Sequence, residues 1–275
     1  MSERHSEPGL GQAPHEGAGR VLVPHAAQAA PPAPHFEPLP PMPQQAATPR
    51  ALQPVYEVPK MTWPLLARQL AAEVWRDIDR LSQTHFRARG RPGGVWLLTG
   101  TRRGEGRTTL ALALACHLAR HGRPVVLADI DFAHPQLAER LGIEPAAACD
   151  DVLVGRLPLE EALIESACEP VVLLPLRAGV APSLWQAARA RLVGLIRRLA
   201  QSYGTVLLDG WPVGEPGLAA DALLSGLAGA VDGALVVLDV RHASRADALA
   251  AGRRLALAGV PAWHIAENYV SSRAA

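Results

Sequence analysis

From Val95 onward, short apolar runs alternate with longer stretches in which apolar residues recur every three or four positions. The runs are Val95 to Thr99, Pro124 to Asp129, Val171 to Pro175, Thr205 to Asp209 and Ala234 to Leu238, with a poorer sixth near Ala262 to Ala266. Runs this short and this uniformly apolar suit strands buried on both faces, and the helical stretches between them supply the cover. The order predicts βαβ units and an α/β fold of three layers, with a mostly parallel central sheet. A helix is predicted ahead of the first run: Thr62 can cap it, Pro64 fits its first turn, and Leu66, Leu70, Val74, Ile78 and Leu81 recur at helical spacing. The segment "RARGRPGG", Arg87 to Gly94, then breaks it. A later helix turns Leu184, Ala188, Leu192, Leu195 and Leu199 to the core, so that Arg189, Arg191, Arg197 and Arg198 form either its solvated face or a basic patch.

Residues 1–58 carry no such period. They are crowded with Pro, Ala, His and Gln and lack the apolar surface to offset ordering entropy, so they read as a disordered tail before one domain at 59–275. Within the tail Pro14-His15, Pro24-His25 and Pro34-His35 recur every ten residues, as a weak metal-binding or docking repeat or as drift in a biased segment. A formal net charge of +1 over 275 residues gives no electrostatic reason to expect a nucleic-acid partner. Cys116, Cys149 and Cys168 show no zinc-ligand spacing and are expected to be plain buried thiols in a reducing compartment. The longest apolar run, Leu218 to Val240, is interrupted by Asp221 and Asp232, so neither a membrane span nor a signal peptide is expected.

In parallel sheets ligands bind beyond the carboxyl ends of the strands, so the residues closing each run matter most. After the first comes "TRRGEGRTT", Thr101 to Thr109, in which Gly104 and Gly106 let backbone N–H groups turn toward an anion and the following helix adds its partial positive end. Thr108 would offer a hydroxyl to a magnesium ion; an ordinary strand-to-helix turn is the alternative. Asp129 and Asp131 close the second run, and Asp209 closes the fourth. A carboxylate ending an apolar strand needs a cation or donor nearby, which suggests a metal centre at Asp129 and Asp209; a helix cap remains open for Asp131.

Five segments carry a resemblance. They are Gly104 to Thr108; Leu127, Asp129, Asp131 and Pro135; Asp209 with Pro212; "DDVLVGRLPLEEAL" from Asp150 to Leu163; and "LLPLRAGVAP" from Leu173 to Pro182. In order and spacing, Glu73 to Asn268 resembles the bacterial tyrosine kinases of capsule and exopolysaccharide export, relatives of the ParA/MinD ATPases in the deviant-Walker P-loop class. The resemblance implies a P-loop NTPase fold with ATP and Mg2+ as cofactors. It implies Arg103, Gly104, Glu105, Gly106, Arg107, Thr108 and Thr109 around the phosphates, Asn268 at the adenine, and Thr108, Asp129 and Asp209 at the metal. Arg107 and Asp129 would be the catalytic pair. It further implies an inner-membrane polysaccharide chain-length or export protein as partner, homo-oligomerisation, and a cytoplasmic place at the inner membrane through that partner.

The chain also departs from the family pattern. Arg107 stands where the loop has lysine, Ala133 where an arginine follows the second motif, and Glu73, Arg76 and Asp79 where the oligomerisation motif reads Glu-x-x-Arg-x-x-Arg. Of the family's C-terminal tyrosine cluster only Tyr269 is present. These departures point to a degenerate regulator with weak or no phosphotransfer. A ParA/MinD-like positioning ATPase is the alternative, with Arg102 where that group has its signature lysine and Arg103 where it has glycine.

Overall fold

The computed structural model describes residues 52–73, 87–88, 91–179, 182–214 and 218–269. Its strands are β1 (Tyr56–Val58), β2 (Arg87–Ala88), β3 (Arg91–Pro92), β4 (Gly94–Gly100), β5 (Val125–Asp129), β6 (Ile164–Ser166), β7 (Val171–Leu174), β8 (Thr205–Asp209), β9 (Gly233–Asp239) and β10 (Trp263–Asn268). Its helices are α1 (Leu65–Glu73), α2 (Arg107–Arg120), α3 (Leu137–Arg140), α4 (Cys149–Leu153), α5 (Leu159–Ala162), α6 (Pro182–Tyr203), α7 (Leu218–Leu227) and α8 (Arg245–Leu257). Eight strands form one sheet in the order β1-β6-β7-β5-β8-β4-β9-β10, while β2 and β3 make a separate antiparallel pair. Every pairing in the large sheet is parallel except β6 with β7.

The apolar runs fold as strands because both faces of the sheet are covered. Alternate residues of β4 go to opposite sides: Val95 and Leu97 join Leu192, Leu195 and Leu199 of α6 and Leu223 of α7, whereas Trp96 and Leu98 join Ala111, Leu114 and Leu118 of α2. The three-layer arrangement predicted from the sequence is therefore present. On α6 the arginines are spread over neighbouring elements, with Arg191 donating to the Leu153 carbonyl, Arg197 to that of Gly229, and Arg198 to Glu160. Arg189 donates to the Ala222 carbonyl, so each of the four is tied to a neighbouring element. Cys116 and Cys149 are buried as expected, but Cys168 is exposed, on the turn between β6 and β7.

The N-terminal boundary lies earlier than the sequence suggested. Leu52 is buried, its N–H donating to Ser202 Oγ and its carbonyl accepting from Tyr203 Oη. Val55 N–H bonds the Glu160 carbonyl, and β1 runs parallel to β6 at the sheet edge. Pairing here is through the backbone, and Tyr56 and Glu57 point outward, so no apolar alternation advertised the strand. The face of α1 also differs from expectation. Ala67 and Ala71 are its buried positions and Leu66 is 51% exposed, because small residues let α1 lie close to the alanine-rich α2. Val74, Ile78 and Leu81, with Arg76 and Asp79 of the oligomerisation motif and the Pro-His repeat, lie outside the described residues. Among the described residues no helix is long and apolar enough to cross a membrane.

The two leucines separate the expected and observed packing. Leu98→Ala, which opens space beside α2, should lower the unfolding free energy by about 2–5 kcal/mol, while Leu66→Ala should stay within about 0.5 kcal/mol of the natural chain. Urea unfolding of both variants measures the difference.

Candidate functional site: a glycine-bearing loop beside buried carboxylates

Because β4, β5, β8, β9 and β10 are all parallel, Gly100, Asp129, Asp209, Asp239 and Asn268 end at one edge of the sheet. Leaving β4, the chain turns through Thr101 to Gly106 into α2. Gly104 and Gly106 adopt left-handed φ values of 83° and 94°, which side-chain-bearing residues rarely take. Glu105, 1% exposed, folds back into the loop. Its carboxylate accepts from Thr101 N (2.6 Å), Thr101 Oγ1 (2.5 Å) and Arg102 N (3.1 Å). Asn268 Nδ2 donates to the Glu105 carbonyl at 2.9 Å and sits so close to Gly106 that a Cβ there would come within 2.6 Å of it. The residue expected at adenine thus braces the loop.

This geometry leaves the start of α2 without a side-chain cap. The first N–H groups of a helix have no partner within it, and together they carry a partial positive charge. Beside them lies Arg107, 8% exposed, with its Cδ packed over Gly100 and its Nη1 buried with no hydrogen-bond partner among the described residues. Its Nη2 reaches Asp131 Oδ2 at 3.3 Å, and Arg103 lies 3.7 Å from the same oxygen. On the first turn of α2, Thr108 Oγ1 donates to Asp209 Oδ2 at 2.7 Å, and Thr109 is half-buried next to it.

Asp129 and Asp209 face each other across paired strands. Asp129 Oδ1 accepts from Asp131 N (3.2 Å), and its Oδ2 accepts from Gln136 N (2.8 Å) and Leu137 N (2.9 Å). Asp129 therefore caps α3, the task the sequence had offered to Asp131. Burial, and then the charge of Asp209, hold Asp129 well above the usual carboxylate range, against the pull of those backbone donors. Burial also pushes Asp209 up to about 6, opposed by the Thr108 hydroxyl and by Arg107.

A third acidic strand end was missed. Asp239 closes β9 as Asp129 closes β5, and Arg241 binds it with Nε at 3.0 Å and Nη2 at 2.7 Å, drawing its carboxyl down to about 2. The Arg241 guanidinium lies 3.3 Å from the centroid of the Tyr269 ring, and Tyr269 has a positive φ of 59°. The signal for this cluster was present in "LDVR", an acid ending an apolar run with an arginine two residues on.

No protein-family model matches the chain. An ATP-binding protein of Methanocaldococcus jannaschii is 28% identical over 147 residues, and the match spans 53% of each chain, about half of that relative's length. The kinase domain of Escherichia coli tyrosine kinase ETK superposes with a TM-score of 0.65 at 18% identity, over 84% of this chain and 97% of that domain. MinD of Pyrococcus horikoshii, solved with Mg-ADP, superposes at 0.53 with 24% identity, over 63% of this chain and 68% of MinD. The VpsO and BceF kinase domains show the same likeness. At these identities the likeness is one of fold: an α/β P-loop NTPase architecture shared by bacterial tyrosine-kinase domains and MinD-type ATPases.

A pH dependence follows from Asp209. Its folded pKa of about 6 lies above the ordinary aspartate value of 3.8, so the folded state holds more protons between those values, and the stability this confers is lost as pH rises through 6. Asp129 is shifted in the same direction. Without divalent metal, Asp209→Asn should therefore gain stability relative to the natural chain as pH goes from 4 to 7, read as a growing difference in Tm. A constant difference would contradict the raised pKa.

Proposed function

We propose that this chain is a magnesium-dependent ATP-binding protein of the exopolysaccharide and capsule tyrosine-kinase type, acting as a regulator of polysaccharide synthesis or export with weak or no phosphotransfer. The observation that carries the nucleotide reading is the buried, unpartnered Nη1 of Arg107 beside an uncapped helix N-terminus. A buried guanidinium nitrogen without an acceptor is costly, and an anion in the loop would relieve it. The residues fit the group. Backbone N–H groups of the loop and α2, with Arg107, would hold phosphate oxygens. Thr108 and Asp209, already 2.7 Å apart, would hold Mg2+, which usually takes only one or two protein ligands besides phosphate and water. Bound there, the ion would supply charge neutralisation for the outer phosphates. Asp129 would act beside it as the residue that polarises an attacking hydroxyl.

The regulatory half of the proposal rests on the departures. Arg107 is a planar fork already tied to Asp131, where a compact ammonium would move freely between phosphates. Of the family's tyrosine cluster only Tyr269 is matched, just past β10, and its half-exposed ring carries the Arg241 guanidinium 3.3 Å from its centroid. The partner proposed is an inner-membrane chain-length or export protein, which would hold the chain at the membrane from the cytoplasmic side, and assembly with further copies belongs to the same proposal. A positioning ATPase is the second reading. It is favoured by the fold likeness to MinD solved with Mg-ADP and by Arg102, exposed on the loop. Sedimentation with lipid vesicles that requires ATP would support this second reading over the first.

The test is calorimetric titration of ATP and ADP, each with and without Mg2+, into the whole chain. Saturable binding is expected, with Mg2+ strengthening it, and Thr108→Ala or Asp209→Ala should remove most of that strengthening, about tenfold or more. Phosphate release by the natural chain should stay near background over hours. No heat of binding for either nucleotide would reject the proposal.

A further inference from the structure

We infer that Asp131 is a positioning residue for Arg107, and that the two act as one unit in place of the loop lysine. The inference rests on the nucleotide reading above and specifies how the altered loop would perform it. A lysine ammonium is a point charge with rotatable donors, and needs no partner to aim it. A guanidinium is a rigid plane, so fixing one of its nitrogens largely fixes the directions of the others. Here Nη2 is fixed by Asp131 at 3.3 Å, and Cδ is fixed by packing over Gly100. The direction of the unpartnered Nη1 is therefore set by where Asp131 holds the plane.

Asp131 is itself held. It is 3% exposed, and its Oδ1 accepts from His134 N at 3.2 Å. Its own N–H donates to Asp129 Oδ1, which ties its backbone to the capped start of α3. Arg103, 3.7 Å from Oδ2 and part-exposed, adds a second cation to the same carboxylate. A buried carboxylate bonded to a guanidinium through one nitrogen holds that plane while leaving the other terminal nitrogen to an anion. Arginine at position 107 is then accommodated only in the company of Asp131. Restoring lysine would shorten the side chain and break that link.

Four whole-chain proteins test this: natural, Asp131→Asn, Arg107→Lys and the double variant, each titrated with ATP and Mg2+ and each checked for Tm. Asp131→Asn is expected to weaken ATP by about tenfold in the natural background, and by less than about twofold in the Arg107→Lys background, where there is no guanidinium to aim. Asp131→Glu, which keeps the charge, should recover part of the loss. A purely structural role for Asp131 would weaken binding equally in both backgrounds, and that result overturns the inference. So does tighter binding by Asp131→Asn, which would mean that the carboxylate competes with phosphate for Arg107. If Asp131→Asn lowers Tm sharply, Asp131→Glu carries the comparison in the two backgrounds, with the same requirement that its effect depend on Arg107. Absence of ATP binding by the natural chain rejects both this inference and the nucleotide reading. Binding without background dependence rejects only this one.

Discussion

The buried carboxylate of Glu105 is the contact on which the shape of the site depends. It draws Thr101 and Arg102 inward through their N–H groups and so closes the first half of the loop on itself. With those donors spent internally, the second half is free to enter α2 with its own N–H groups uncapped. The two glycines on either side of Glu105 take left-handed conformations to allow this, and Asn268 secures the arrangement from the far edge of the sheet by bonding the Glu105 carbonyl. The end of β10 and the turn after β4, more than 160 residues apart, are thus made to agree on the position of one short loop.

Charge at the strand ends is arranged around that turn by pairing rather than by abundance. Asp209 is matched to a hydroxyl, Asp129 to three backbone N–H groups, Asp131 to two arginines and Asp239 to a third arginine. The kind of donor differs between Asp209, which meets a hydroxyl, and Asp239, which meets a guanidinium, and this accounts for the opposite directions in which burial and partners move them: Asp209 up and Asp239 down. A backbone amide or a hydroxyl offsets burial only in part, whereas a bidentate guanidinium outweighs it.

Much of the fold was legible because strands covered on both sides are buried along their whole length and so are apolar up to their last residues, as β4, β5, β8 and β9 are. β1, at the edge, and β6 beside it were not, since strands of three residues are held mainly by backbone pairing and leave little side-chain pattern. α1 misled for a related reason: its close approach to α2 uses Ala67 and Ala71, while the more hydrophobic Leu65 and Leu66 lie outside. In the site, the loop and the candidacy of Thr108 and Asp209 were readable from residue types just after strands, but their direct hydrogen bond was not. Which acid would cap α3, which would meet Arg107, and that Asn268 would brace the loop depended on placements across the sheet that no local spacing encodes.

The early start of the folded region bears on how the protein tolerates trimming. A fragment cut at residue 59, where the sequence pattern begins, would lack β1 and expose the outer edge of β6, whose N–H and C=O groups would then be available to a strand from another molecule. It would also lose the anchor of Leu52 on α6. Such a fragment would invite edge-to-edge association that the intact chain blocks with its own polypeptide, and clusters formed in that way would reflect a severed sheet instead of a native assembly.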